Sequence, residues 1–296
     1  MKRKMVLDSI KGKIRRKEPL SRHTTFRIGG PAKFFVEPKD LSDLKTLIIW
    51  ARIHKIPLLV IGAGSNILAS DKGIEACVVR LSRPFFKKMS LCPNGLDAGS
   101  GLSLAKLLGF ARSRSLSGLE FLVGIPGTVG GALAMNAGAW GENLGNLVEK
   151  VKIMDYNGRI KVLGKKKIRF AYRKSSLASY IILSVRLKLH KKTRREISSR
   201  IKKYRKLRLK TQDQGAANAG CIFRNPAGFT AGHLIEGCGL KGKRMGDAVV
   251  SKRHANFILN QNSARYQDVL NLMNLIRKKV RMRFHIHLEP EIKIWR

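Results

Sequence analysis

The chain has 296 residues, 44% of them hydrophobic, which is enough for two or three substructures with their own cores and favours a globular over a disordered protein. Its 60 lysines and arginines face 19 acids, for a net charge of +41. With 7% aromatic residues and no stacking platform or nucleic-acid motif, that charge does not make a specific nucleic-acid reader, although it would attract nucleotide diphosphates.

The amino-terminal segment MKRKMVLDSIKGKIRRKEPL is charged and lacks the apolar stretch of a secretory signal. Residues 32–36 read as a short strand. Asp40 can then cap a helix with Leu44, Leu47, Ile48 and Ala51 on one face. The apolar run IPLLVIG (56–62) completes a β–α–β opening. It leads into GAGSN (62–66), where a dinucleotide fingerprint would need glycine at position 67; Ile67 stands there, and Asp71, Lys72 and Gly73 form a turn, so the Rossmann pattern is rejected.

Leu104, Leu107, Leu108 and Ala111 mark a second helix, closed by a turn at Ser117 and Gly118. The uncharged stretch 121–140 is as long as a membrane span, but Pro126, Asn136 and five glycines would leave backbone groups unsatisfied in lipid, so it reads as buried loop and turn. VKIMDYNGRIKVL (151–163) reads as a hairpin with a type I′ turn at Asn157 and Gly158. Residues 183–189 alternate as a half-buried strand.

From Arg186 to Lys210, 13 basic residues meet one acid, Glu196, while Ile197, Ile201, Tyr204 and Leu207 recur at helical spacing, as in an amphipathic helix with a solvated basic face. A last helix begins after Ser263, with Val269, Met273, Ile276 and Val280 on its apolar face, and HLEPEIKIW (287–295) is strand-like, placing Glu289 and Glu291 on one face. The mixture is α+β, with breaks near Ser82 and His190. Cys77, Cys92, Cys221 and Cys238 have neither CxxC pairing nor metal-ligand spacing, so no metal site is expected, and reduced thiols in a soluble cytoplasmic protein are the simple expectation.

The glycine segments point to a cofactor. In GIPGTVGGALAMNAGAWG (124–141), six glycines in eighteen residues make a poor helix and a poor strand, yet such backbone can pack against a large flat ligand and exclude water. GAGSN can bring N–H groups to a pyrophosphate, with Ser65 and Asn66 adding donors, or it can be an ordinary tight turn.

These two segments, together with TTFRIGG (24–30), AYRKS (171–175), AGCIFRNP (219–226), LIEGCGLKGKRMGDAVVSKRHANFILN (234–260) and LEPEI (288–292), resemble in order the signatures of the UDP-N-acetylenolpyruvoylglucosamine reductase family. The direct run from YRKS to the basic helix resembles the shorter form of that family, which lacks an inserted substrate-gating loop.

The resemblance implies a three-part flavoprotein. Its parts would be two FAD-binding subdomains (1–82 and 83–190), a module of the vanillyl-alcohol-oxidase/PCMH type, and a substrate-binding α+β domain (191–296). Gly62, Ala63, Gly64, Ser65 and Asn66, with Gly124, Ile125, Pro126, Gly127 and Thr128, would hold the FAD diphosphate and surround the flavin. Thr25, Ile28, Gly29 and Gly30, and Gly131, Asn136, Ala137 and Gly138, would complete the pocket. NADPH would be co-substrate, and UDP-N-acetylglucosamine enolpyruvate the substrate of a monomer that neither enters a membrane nor reads nucleic acid.

Hydride addition at C3 of the enolpyruvyl group would leave negative charge on C2 and its carboxylate, which calls for a fixed cation in a dry site. Arg173 matches the family's arginine, and its planar fork suits a carboxylate. The proton for C2 comes from a serine in much of the family; here Cys221 stands at that position, and a thiol, with a reference pKa near 8.5, is the stronger acid. Glu291 matches the carboxyl-terminal glutamate that assists protonation, and Tyr172 and Asn225 match substrate contacts. Without the family, Arg173 would read as a surface charge and Cys221 as a small buried residue. An FAD oxidase of the same fold would explain the glycine segments but not AGCIFRNP with LEPEI, and a basic nucleic-acid-binding protein would explain the charge alone.

Overall fold

The computed structural model describes residue 7 and residues 9–213 and 215–296, so the first residues of the charged amino-terminal segment lie outside the described residues. The chain forms two units. One gathers Phe34–Ala63, Glu75–Leu207 and the segment ending at Arg16; the other gathers Lys17–Lys33, Gly64–Ile74 and Arg208–Arg296.

The first unit opens on the expected β–α–β element. Strands Lys13–Pro19, Pro31–Glu37, Ile74–Arg80 and Leu58–Ile61 lie in that order in one sheet, and the last two run parallel, with Leu58 opposite Cys77. Helix α1 (Leu41–Ile53) starts at Asp40, whose carboxylate accepts the N–H groups of Ser42 and Asp43, a cap worth about 1 kcal/mol. Leu44, Leu47 and Ile48 are buried in one core with Val36 and Val79, each contributing about 1.5–3 kcal/mol of apolar burial.

A second sheet of the same unit is antiparallel, in the order Ile160–Gly164, Val148–Met154, Ile181–Lys188, Gly95–Gly99, Met89–Cys92. Its core takes in helix α2 (Leu104–Ser113), capped by Ser103, and the short helix α3 (Val129–Ala134). Helix α4 (Arg194–Thr211) packs Ile201 and Tyr204 against it, and its Ile197 is buried.

The second unit holds a sheet in the order Ala217–Cys221, Phe257–Asn260, Ala248–Val250, Arg244–Met245, with helices α5 (Ala231–Gly237) and α6 (Tyr266–Phe284). Val269, Leu272, Met273, Ile276 and Val280 of α6 are no more than 3% exposed, as their spacing requires. Phe26, Ile28 and Leu68 join this carboxyl-terminal core from far upstream, and Lys293–Trp295 pairs in parallel with Ile67–Ala69. Among the described residues no helix is long and apolar enough to cross a membrane.

Four expectations change. The hairpin over 148–164 exists, but Met154 faces Ile160, so its loop has five residues rather than a two-residue type I′ turn. Gly158 has φ +78° and Asn157 is not left-handed, whereas type I′ needs both; Asp155 organises the loop instead, its carboxylate accepting the N–H groups of Asn157 and Arg159.

The stretch 121–140 is not all loop. It contains α3, started by Thr128, whose hydroxyl accepts the N–H of Gly131 at 3.3 Å, and Gly124 and Pro126 are exposed rather than buried. Leu207 departs from the apolar stripe of α4 and is 39% exposed. At the carboxyl terminus only Lys293–Trp295 is strand, so Glu289 and Glu291 do not share a strand face: Glu289 is exposed and Glu291 half-buried.

Candidate active site

In the first unit the site is organised around Arg173. The short strands Phe170–Ala171 and Lys174–Ser175 pair antiparallel, leaving Tyr172 and Arg173 as their two-residue loop. Arg173 has φ +52°, a left-handed conformation that costs a non-glycine residue about 1–2 kcal/mol. The surrounding bonds explain how it persists. Asn136, buried and itself left-handed, donates through Nδ2 to the carbonyl of Ala171 at 3.0 Å and accepts the N–H of Gly145 at 2.9 Å. The Ser175 hydroxyl reaches the carbonyls of Leu133 (2.8 Å) and Ala134 (3.1 Å) at the end of α3. Arg173 Nη1 donates to the carbonyl of Gly138 at 2.8 Å, and its guanidinium lies 5.3 Å from the ring of the exposed Tyr172. The loop, the end of α3 and the 136–145 segment are thus one hydrogen-bonded piece.

The two glycine segments of this unit meet. A Cβ on Gly62, at the end of strand Leu58–Ile61, would sit 2.5 Å from the Thr128 hydroxyl oxygen. On Gly131, which is exposed, it would meet only that same oxygen, at 3.5 Å. Gly124 and Pro126 are exposed, and Ile125, Gly127 and Thr128 half-buried, so a strip of nearly side-chain-free backbone stays accessible. Ala137 is half-buried beside it, and Gly138 is packed so closely that a Cβ would lie 2.3 Å from the carbonyl of Glu142.

In the second unit the chemistry gathers around the strand Ala217–Cys221. Asn218 faces Leu259 and Cys221 faces Phe257, with an irregularity between them that takes in Ala219 and Gly220. Gly220 has φ +74°, and its N–H is taken by the Asn218 side chain at 2.8 Å. Such a bulge turns the next side chain out of the sheet's alternation, and Cys221 emerges from it half-buried. Two residues on, buried Asn256 clamps Phe223, accepting its N–H at 2.9 Å and donating to its carbonyl at 2.8 Å.

Beside this strand runs the carboxyl-terminal segment. The N–H of Glu291 donates to the carbonyl of Ile222 at 2.8 Å, and that of Arg224 to the carbonyl of Glu289 at 2.9 Å. Asn66 of GAGSN donates through Nδ2 to the carbonyl of Glu291 at 3.2 Å and accepts the Lys293 N–H at 2.9 Å through its own carbonyl. Thr25 donates its hydroxyl to the carbonyl of Asn218 at 2.6 Å, and its N–H to that of Gly64. Gly64 has φ +66°, and a Cβ there would lie 2.0 Å from the carbonyl of His23, so only glycine fits.

The structure therefore brings Cys221 and Glu291 onto adjoining backbones and builds Thr25, Gly64 and Asn66 into the same assembly. Ile28 is core, and Gly29 and Gly30 pack against Ala69 and Asp71. Asn225 uses its carbonyl oxygen to accept the Ala231 N–H. His254 is half-buried next to Phe257, and burial lowers its pKa. Sequence reasoning missed Asn256, whose only signal is its place in KRHANF, and the residues around Trp140, which composition does not distinguish from surface aromatics.

Comparison with known proteins agrees with this architecture. Residues 32–164 match a family model described as an FAD binding domain, and residues 211–295 one described as the C-terminal domain of UDP-N-acetylenolpyruvoylglucosamine reductase. The chain is 43% identical over 286 residues to UDP-N-acetylenolpyruvoylglucosamine reductase 2 of Symbiobacterium thermophilum, covering 96% of this chain and 92% of that one. The Caldanaerobacter subterraneus reductase is 40% identical, covering 96% and 94%. The crystal structure of the Thermus caldophilus reductase superposes with a TM-score of 0.82 at 35% identity, covering 97% of this chain and all of that one. The fold is accordingly α+β, with an FAD-binding domain of the vanillyl-alcohol-oxidase/PCMH type followed by a distinct carboxyl-terminal domain. The chain belongs to the UDP-N-acetylenolpyruvoylglucosamine reductase family of FAD-dependent oxidoreductases.

Proposed function

We propose that the protein reduces UDP-N-acetylglucosamine enolpyruvate to UDP-N-acetylmuramate with electrons from NADPH, a step in peptidoglycan precursor synthesis. The names of its relatives support the reaction class. The observation that carries the residue assignment is the Glu291–Ile222 hydrogen bond, which sets a carboxylate-bearing residue beside the residue following Cys221.

The residues present fit FAD. Where Gly62 meets Thr128 and Gly131 lies open, added side chains would fill the space a flat cofactor needs. Gly62, Ala63, Gly124, Gly127, Thr128 and Gly131, all in the first unit, are the residues proposed to hold it there. When bound, FAD supplies a two-electron carrier between NADPH and the enolpyruvyl double bond.

The chain's own groups handle charge and proton. Arg173 holds its guanidinium for the substrate carboxylate, so the negative charge that follows hydride arrival at C3 meets a preformed cation. The Cys221 thiol gives its proton to C2, and Glu291 orients or polarises that transfer. The net change is one hydride and one proton added across the carbon–carbon double bond, converting the enolpyruvyl ether to a lactyl ether. Tyr172 and Asn225 are the proposed substrate contacts.

The proposed parts are 1–82, 83–190 and 191–296; the cores match them in number, while Phe26, Ile28 and Leu68 pack with the third and Met154, Ile181 and Leu183 with the first. Both reagents are intracellular nucleotides and one chain carries all three proposed catalytic residues, which supports a cytoplasmic monomer. The purified protein should be yellow and oxidise NADPH only with the enolpyruvyl sugar present; a chain that takes up no FAD contradicts the proposal.

A further inference from the structure

We infer that Tyr204 and Trp140 are positioning residues for Arg173, which they hold through the hairpin that carries Gly138. The inference rests on the proposed role of Arg173. The carbonyl that receives Arg173 Nη1 belongs to Gly138. Gly138 lies on a minimal hairpin, in which Gly138 faces Asn143 and Ala139 faces Glu142. Its two loop residues, Trp140 (φ +54°) and Gly141 (φ +81°), both have the positive φ that a tight two-residue connection needs. Glycine suits that conformation and tryptophan does not, so something outside the hairpin must hold the Trp140 backbone there.

Helix α4 supplies the support. The Trp140 ring stacks on Tyr204 with centroids 4.5 Å apart and planes 4° from parallel. The Tyr204 hydroxyl donates to Glu142 Oε1 at 2.5 Å, and Arg200 Nη2 donates to both Glu142 oxygens, at 3.1 and 3.2 Å. Arg200 in turn lies 3.8 Å from the carboxylate of Glu120. Glu120 is buried and fixed by the Ser117 hydroxyl (2.6 Å) and the Gly118 N–H (2.9 Å). The far end of the chain of contacts is therefore anchored in the core.

The near end is equally stiff. The carbonyl of Glu142 approaches Gly138 so closely that a Cβ would come within 2.3 Å of it, leaving no slack between the Glu142 and Gly138 backbones. A shift of Glu142 moves the Gly138 carbonyl, and that carbonyl orients the guanidinium. A small displacement of a charge-stabilising group can cost up to two orders of magnitude in rate. A surface patch serving only to fasten α4 would need no contact with the hairpin that orients Arg173.

The test uses the FAD-loaded enzyme and stopped-flow measurement of each half-reaction, with Tyr204→Ala, Tyr204→Phe, Trp140→Ala and Arg173→Lys. Tyr204→Ala and Trp140→Ala should slow flavin reoxidation by UDP-N-acetylglucosamine enolpyruvate about tenfold while leaving reduction by NADPH within about twofold. Tyr204→Phe keeps the stack and should recover most of the loss. Because both act through one guanidinium, Tyr204→Ala should add little to the loss in the Arg173→Lys background, where a general loss of stability would add in full. If Tyr204→Ala does not fold, Glu142→Gln tests the same link and should slow only reoxidation.

Equal slowing of both half-reactions, or a fully additive double variant, overturns the inference. Unimpaired Tyr204→Ala beside impaired Arg173→Lys overturns it alone. Unimpaired Arg173→Lys and Arg173→Ala overturn the reading of Arg173, and this inference with it.

Discussion

The backbone N–H of Glu291 donates to the carbonyl of Ile222 at 2.8 Å. Two motifs distant in sequence that carry proposed proton chemistry thereby share one piece of backbone, and Asn66, from a third motif, donates to the carbonyl of Glu291. Cys221 enters this assembly through a bulge and Glu291 through a non-strand segment, so neither position follows from regular pairing alone.

The proton-donor assignment is tested at Cys221. Cys221→Ala should leave flavin reduction by NADPH near its original rate and slow reoxidation by the enolpyruvyl substrate at least about 100-fold, the low end of what a positioned general acid contributes. Cys221→Ser should keep measurable activity. Rapid mixing of each half-reaction separates the outcomes; equal slowing of both removes Cys221 from this role.

Gly131 and Gly64 separate cofactor binding from folding. Gly131→Ala meets only the Thr128 hydroxyl at 3.5 Å inside a helix, so the apo protein should melt no lower while its FAD affinity drops about tenfold. Gly64→Ala combines φ +66° with a backbone clash and should cost about 2–4 kcal/mol, read from chemical denaturation. A stable Gly64→Ala would contradict the packing described around His23.

Asn256 is 2% exposed and satisfies both backbone groups of Phe223. Asn256→Ala strands a buried N–H and a buried carbonyl, at a cost of about 2–4 kcal/mol. Activity should fall beyond what the lower stability explains, because Phe223 lies two residues from Cys221. Denaturant midpoints with reoxidation rates, taken where the variant is still folded, check this.

Burial, the largest influence on His254, lowers its pKa in the folded state. A histidine held below its unfolded pKa favours folding fully above that unfolded value, near 6.5, and the contribution is lost as pH falls toward the folded pKa. Stability should therefore decline on the acid side of about pH 6.5, and His254→Asn should flatten that decline by up to one proton in the dependence of unfolding free energy on pH. An unchanged slope would show that other groups carry the acid limb.

What the sequence disclosed divides by physical range. Helices α1 and α6 were legible because a 3.6-residue period and, for α1, the Asp40 cap are local signals, and the structure keeps both. The loop after Met154 was misread because Asn-Gly favours a type I′ turn only when nothing competes, and the Asp155 carboxylate competes. Helix α3 was hidden by its glycines; the Thr128 cap and burial of Val129 and Leu133 outweigh their low propensity. The pairing of Lys293–Trp295 with Ile67–Ala69 leaves no local trace, so the assignment of 64–74 to the carboxyl-terminal unit could not be read. Family motifs supply the proposed site residues, but not the contacts of Asn136 and Asn66, whose amides bind the protein's own backbone around Arg173 and Glu291.

The most direct test of the reductase assignment is a single anaerobic experiment on the FAD-loaded protein, reduced with one equivalent of NADPH and then mixed with UDP-N-acetylglucosamine enolpyruvate. The oxidised-flavin absorbance should return, with one equivalent of UDP-N-acetylmuramate formed per flavin. Flavin that stays reduced until oxygen is admitted, with no product formed, would contradict the assignment.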